Sequence, residues 1–256
     1  VVVGDDPWSI STSTPADSRY LFKHLHIPFL EPSTPQELKD WIKVALTISQ
    51  KTSVYQGLLL TTFMAEGGGR VKCYEEVPVN QELVHLDPDK FDLSKNVMVP
   101  PNSLMADHEM IKERFPKIKD VLKEMNLDSL FGNKDSSVGF ISAGVVFETV
   151  KQLLEERDLL KTYSLYKIAC SYPLVDDLLL PYLKKLEALI VVEEKRGFLE
   201  TELRELIDRH GLNLKVYGKS FKSGEGEKDL EGFPAFGGLS YEILQEKVEK
   251  LMKLLH

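Results

Sequence analysis

Several residues in this chain have types and spacings that could do chemistry. Gly139-Phe140-Ile141-Ser142-Ala143-Gly144 puts a serine at the carboxyl end of an apolar run, where open α/β sheets place their sites. It is not a nucleophile elbow, because the leading glycine of Gly-x-Ser-x-Gly stands one position too far from Ser142. What remains is an anion site: the amides of Ser142, Ala143 and Gly144 would open a helix and could face a phosphate or carboxylate. A small-residue turn chosen for its geometry is the simpler reading. Glu193-Glu194 ends a second apolar run, and paired carboxylates there could serve as acid and base. A solvated strand end or an interface anchor is again simpler. Gly4-Asp5-Asp6, followed by the hydroxyls of residues 9–14, makes a polar loop at a strand end, a position that suits a site.

Other elements carry less. Gly67-Gly68-Gly69-Arg70 lacks the Lys-Ser/Thr ending of a phosphate loop and reads as a flexible loop. His24 and His26 stand two apart, on opposite sides of a helix, and no His-Glu-x-x-His occurs. Cys73 and Cys170 form no Cys-x-x-Cys pair and read as small core hydrophobes. Residue types alone therefore give no self-contained catalytic set and no metal site.

The elements that must position these groups alternate in type. Val1 to Val3 reads as the end of a buried strand, so the chain is expected to be part of a longer one. Trp8 to Asp17 is a loop, and Arg19 to His26 a short helix. Thr34, Pro35 and Glu37 form a capping box, after which Leu38, Trp41, Ile42, Ala45 and Leu46 make one apolar face. Gly57 to Thr62 is a short buried strand, and Glu66 to Lys95 an extended polar connection. Ser103 to Met125 predicts a helix with Ile111, Phe115, Ile118, Leu122 and Met125 on one face, kinked or delayed by Pro116.

A second alternation follows. Strands are expected at Val138–Ile141, Leu165–Ala169, Ala188–Val192 and Leu212–Val216. Helical stripes run between them through Val146, Val150, Leu153 and Leu154, through Asp176 to Leu183, and through Leu199, Leu203, Leu206 and Ile207. Lys219 to Gly232 reads as a mobile loop, and Ser240 caps a last helix with Leu244, Val248, Leu251 and Leu255 inward.

Composition excludes some functions. With 32 Lys+Arg against 40 Asp+Glu among 256 residues, the formal charge is −8, which leaves no basic surplus for nucleic acid. No apolar run approaches the roughly 18 residues of a membrane helix, and no signal peptide is evident, so a cytoplasmic chain without membrane contact is expected.

At Val1-Val2-Val3-Gly4-Asp5-Asp6-Pro7, Asp17-Ser18-Arg19-Tyr20, Ile27-Pro28-Phe29-Leu30-Glu31-Pro32 and Pro35-Gln36-Glu37-Leu38-Lys39 the chain resembles the alpha subunits of the indolepyruvate ferredoxin oxidoreductases. These are thiamine-diphosphate enzymes of the 2-oxoacid:ferredoxin oxidoreductase class. The likeness continues through Leu58–Thr62 and Val138–Gly144. Ile190-Val191-Val192-Glu193-Glu194 with Gly197-Phe198-Leu199-Glu200 is similar to transketolase C-terminal domains, and Gly238-Leu239-Ser240-Tyr241 to the family's Gly-Glu-Leu-Ser segment.

The resemblance implies an α/β fold: a partial thiamine pyrimidine-binding-type parallel sheet plus a doubly wound transketolase C-terminal-like domain. Residues 1–100 would be the later part of the first, 101–133 a linking helix, 134–218 the second domain, and 219–256 a loop and C-terminal helix. Asp5, Asp6, Ser11, Asp17 and Arg19 would lie near the cofactor. The complete enzyme would use thiamine diphosphate with Mg and 4Fe-4S clusters, and convert an aryl 2-oxoacid to an acyl-CoA with ferredoxin as acceptor. The residues that activate thiamine and bind its magnesium diphosphate, and the cluster cysteines, would lie outside this chain. Its partners would be the remaining domains of the same subunit, a beta subunit, ferredoxin and CoA, in an oligomer.

One loop departs from the family. Where Gly-Met-His-Ser-Ser-Gln is common, this chain has Trp8-Ser9-Ile10-Ser11-Thr12-Ser13 and then Ala16, and Ile10 cannot ionise. A non-catalytic interaction subunit that retains the fold is the alternative.

Overall fold

The computed structural model describes residues 1–75, 87–90, 97–221 and 230–255. Two sheets organise it. The first takes β1 (Val2–Asp5), β2 (Phe29–Leu30) and β3 (Gly57–Thr61) in parallel, with β3 between the other two. Helix α1 (Arg19–His24) lies between β1 and β2 in the chain, and α2 (Pro35–Thr52) links β2 to β3. Thr34 accepts the amide of Glu37, and the Glu37 carboxylate reaches back to the Ser33 amide rather than to that of Thr34. The short helix α3 (Thr62–Ala65) follows β3.

Val1 and Val2 are exposed, against the expected buried strand, because β1 is the edge of its sheet. Helix α2 also buries a different stripe from the one expected. Trp41, Ala45, Ile48 and Thr52 face inward, while Ile42 and Leu46 are exposed. The inward stripe meets Ile118, Val121 and Leu122 of the linking segment. That segment is two helices, α4 (Asn102–Glu109) and α5 (Phe115–Met125), joined by a π-helical turn at Met110–Arg114. Pro116 sits in the first turn of α5, where a missing amide costs least, and Ile111 before it is exposed.

The second sheet has the order β4-β6-β5-β8-β9, formed by Ser129–Gly132, Ser164–Ile168, Val138–Ala143, Ala188–Val191 and Lys215–Tyr217 respectively. All neighbours are parallel except β4, an antiparallel edge strand that periodicity did not disclose. Helix α6 (Gly144–Glu156) and the last helix, α9 (Tyr241–Leu255), cover one face. Helices α7 (Asp176–Leu183) and α8 (Phe198–Arg209) cover the other. Of the expected inward residues, Val150, Leu153, Leu154, Leu199, Leu203, Leu206, Ile207, Leu244, Val248 and Leu251 are buried, and Val146 and Leu255 are half-buried at the margin of the same core.

Within the segment expected as a loop, Ser220–Phe221 (β10) and Leu230–Glu231 (β11) pair antiparallel, and residues 222–229 lie outside the described residues. Of the expected connection 66–95, residues 67–75 are exposed and without regular structure, and 76–86 and 91–95 lie outside the described residues. Cys170 is buried, but Cys73 is exposed, because its loop packs against little.

The two sheets share a strand. Cys170–Tyr172 (β7) comes one residue after β6, leaves the second sheet and pairs antiparallel with β2. The strand turns at Ala169, whose amide donates to Asp128 at 2.9 Å while its carbonyl accepts the Glu31 amide at 3.0 Å. Asp128 also accepts the Tyr166 hydroxyl at 3.0 Å. An aromatic cluster of Phe22, Phe29, Tyr172 and Phe198 fills the angle between the layers.

Burial pushes the Asp128 carboxyl up to about 6, against the opposing hydrogen bonds from Ala169 and Tyr166. A carboxyl raised in the folded state gives stability that is present below about pH 4 and is lost as pH rises through the folded value. Between about pH 4 and 7, urea denaturation should show the protein losing roughly 3 kcal/mol relative to its Asp128→Asn variant. Parallel pH profiles for the two would refute this role for Asp128.

Candidate functional site

Strand ends of both sheets converge on one cleft. Asp5 and Thr61 come from the ends of β1 and β3, Glu31 follows β2, Ala143 ends β5, Gly144 to Val146 open α6, and Glu193 and Glu194 follow β8. The cleft encloses about 500 Å³, counting its open mouth. Carboxyl ends of strands from two adjoining parallel sheets are where α/β folds present loops and helix N-termini to a ligand.

Arg19, at the start of α1, closes the back of this cleft and is almost fully buried. Its guanidinium takes Asp17 through two nitrogens at 2.8 and 3.0 Å. It reaches Glu193 at 2.6 Å, and the carbonyls of Glu194 and Arg196 at 2.8 and 3.1 Å. Only the planar fork of arginine can serve so many acceptors at once. Burial works against the charge, but Glu193 and Asp17 outweigh it and hold the guanidinium firmly protonated.

Glu193 is the counterpart. Besides Arg19 it accepts the amides of Leu199 and Glu200, both at 2.9 Å, so it caps the start of α8 from within. It is buried, which corrects the expectation of a solvated strand end: the pair Glu193-Glu194 anchors one unit to the other. Burial raises the Glu193 carboxyl, opposed by Arg19, Lys219 and the two amides. Burial likewise works against the Asp17 carboxylate, but Arg19 and Arg196 outweigh it and hold it below the usual range. Lys219, whose ammonium donates to the carbonyls of Glu193 at 2.6 Å and Pro234 at 3.1 Å, is brought down to about 8 by burial.

Asp5 and Asp6 turn to different tasks. Asp5 accepts both the amide and the hydroxyl of Ser18 at 2.6 Å, fixing the entry to α1. Asp6 is ringed by the amides of Ile10, Ser11 and Thr12 at 3.0, 2.7 and 2.7 Å and by the Thr12 hydroxyl at 3.0 Å. Burial opposes its charge, but these donors hold its carboxyl far below the usual range. They also wrap the loop around it. Ser11 gives its hydroxyl to Glu66 at 2.5 Å.

The loop is fixed at its start as well. Trp8 donates its indole N–H to Glu194, which also accepts the Leu239 amide at 3.1 Å. The Trp8 ring lies where a side chain on Gly238 would begin, 2.0 Å from that Cβ position. Glycine at 238 is therefore required by the ring, and two segments far apart in sequence meet there.

Of the residues singled out by sequence, Asp5, Asp17, Arg19, Ala143 and Gly144 line the cleft. Ser142 is wholly buried and donates to the Val192 carbonyl at 2.8 Å, so its hydroxyl serves the sheet. Asp6 and Ser11 organise the loop behind the cleft. Sequence reasoning missed Glu31 and Thr61 as lining residues, and it missed Lys219. The signal for Glu31 was its position directly after a short apolar run and before Pro32. Among the described residues no cluster of His, Cys, Asp and Glu is arranged to hold a metal ion.

Because Glu193 is buried with two amides of its own, removing Arg19 would leave that charge without its main partner. Arg19→Met should cost about 3–5 kcal/mol in urea denaturation, and Arg19→Lys should recover only part of it. A loss below about 1 kcal/mol would place the pair among weak surface contacts.

Residues 128–254 match the family model described as the indolepyruvate oxidoreductase domain. Among curated proteins, the chain is 27% identical to indolepyruvate oxidoreductase subunit IorA of Thermococcus kodakarensis, an alignment covering 100% of this chain and 40% of that protein. It is 28% identical to IorA of Methanothermobacter marburgensis, over 86% of this chain and 34% of the relative. The chain thus spans less than half the length of these relatives. Among solved structures, the 2-oxoglutarate:ferredoxin oxidoreductase from Magnetococcus marinus superposes with a TM-score of 0.60 at 13% identity, covering 97% of this chain and 48% of that one. At that identity the likeness is one of fold. The expected α/β architecture is present, the chain is similar over its whole length to an IorA subunit of the indolepyruvate oxidoreductases, and residues 128–254 match that family's domain.

Proposed function

We propose that this chain forms one wall of the active cleft of a thiamine-dependent 2-oxoacid oxidoreductase, acting on an aryl 2-oxoacid of the indolepyruvate type. In this reading the complete assembly passes electrons to ferredoxin and releases an acyl-CoA. The observation that supports it is the cleft itself, set at the carboxyl ends of two sheets and closed behind by Arg19, Asp17 and Glu193. The IorA matches supply the reaction class.

The donor set bears on the cofactor. Asp6 is saturated by its own loop, Asp5 by Ser18, and Arg19 by protein acceptors. The described residues thus do not fit a magnesium diphosphate site, and in this reading thiamine diphosphate is held by other parts of the enzyme. The loop at 8–14 favours the second reading, a non-catalytic interaction subunit. Ile10 is exposed where the family commonly has an ionisable residue, and the loop's amides are spent on Asp6.

Two measurements test the placement of the cofactor and then separate the two readings. The chain alone should show no rise in Tm with thiamine diphosphate and Mg, since a ligand at 100 times its Kd would add roughly 2.7 kcal/mol. A clear rise would overturn the assignment of the cofactor to other parts of the enzyme. Co-expressed with the remaining domains and the beta subunit, the chain should support indolepyruvate-dependent reduction of ferredoxin. Equal reduction with the chain left out would favour the interaction subunit.

A further inference from the structure

One carboxyl in the cleft is unlike the rest. Glu31 leaves the end of β2 with its backbone amide on the Ala169 carbonyl, and its Oε2 lies 3.4 Å from where a Cβ on Gly144 would stand. It therefore sits over the first residue of α6, on the floor of the cleft, with part of its surface open to that space.

The charges around it do not balance. Asp17, Glu193 and Glu31 all look toward the single guanidinium of Arg19. Asp17 holds two of its nitrogens and has Arg196 at 3.5 Å besides. Glu193 holds a third nitrogen and two backbone amides. Glu31 gains the attraction of Arg19 without a hydrogen bond to it, and it faces the buried hydroxyl of Ser171, which has no hydrogen-bond partner among the described residues. Asp5, Glu194 and Lys195 complete the cleft's ionisable groups, and Lys219 lies behind Glu193. Arg196 supports Asp17 and Lys219 supports Glu193, so of the three carboxyls that share Arg19 in this desolvated site Glu31 has the weakest partners, and the proton settles there.

We infer that Glu31 is the carboxyl of the cleft that carries its shared proton and acts as its proton donor, giving that proton to an oxygen of the bound 2-oxoacid. The inference rests on the oxidoreductase reading above for its substrate. The proton passes from the Glu31 carboxyl to the substrate oxygen. The carboxylate left behind is stabilised by Arg19, and it recovers a proton from solvent through the mouth of the cleft. Burial raises the Glu31 carboxyl, against Arg19 and Ser171, in the same direction as the charge count.

Carbon-13 NMR of the chain labelled at glutamate carboxyls tests the protonation. One resonance, identified by its loss in Glu31→Gln, should titrate well above the ordinary glutamate value of about 4.3. Ser171→Ala should move that midpoint higher, since it removes a donor to the charged form. A midpoint in the ordinary range, or one that Ser171→Ala leaves in place, would overturn the inference.

In the assembled enzyme, Glu31→Gln should lower kcat by about 100-fold or more and remove the decline in rate at high pH, with Glu31→Asp recovering part of the rate. An unchanged rate and pH profile in Glu31→Gln would also overturn it. Absence of turnover by the wild-type assembly would count against the oxidoreductase reading instead, while the NMR titration still decides the protonation state.

Discussion

The buried contact between Arg19 and Glu193 is the constraint on which the rest of the molecule depends. One residue begins the first helix of the first layer, and the other follows the interior strand β8 of the second sheet. A bare ion pair in such a place would repay little of its desolvation. Here the two charges are part of a larger set: Asp17, two carbonyls and two helix amides share them. Because these charges are met by several hydrogen bonds from both layers, the angle between the layers is fixed by directional bonds as well as by the aromatic cluster beneath.

The cleft's shape follows from that constraint. Arg19 and Glu193 close its back, Trp8 and Glu194 tie its rim to the segment before α9, and Asp6 holds the intervening loop in a tight ring of amides. The groups that sequence would nominate for binding are largely those that build the wall. A buried carboxylate surrounded by amides resembles a ligand site in composition, and only the geometry shows that its donors are already spent.

How much of this could be read in the sequence depended on the range of the interaction. The cap at Thr34, Pro35 and Glu37 and the stripes of α6, α8 and α9 are local patterns, and they appear where periodicity placed them. The face of α2 was misassigned at Ile42 and Leu46 because both of its sides carry apolar residues, and its partner helix is some 70 residues away. Strands β4 and β7 are three or four residues long, too short for a period to show, and their existence depends on pairing with distant partners. The cleft was half legible. Asp5, Asp17 and Arg19 stood out as polar residues after a strand, but nothing local to Glu31 or Lys219 reveals the carboxylates and guanidinium that surround them.

The passage of one strand through Ala169 from the second sheet into the first has a further bearing on how such a chain can vary. A boundary drawn between the two layers would cut through no loop, because β7 belongs by sequence to one and by pairing to the other. Neither layer can be exchanged, duplicated or shed without opening an edge on its neighbour. The pair is thus expected to pass through evolution as one inherited block, with variation confined to what is attached around it.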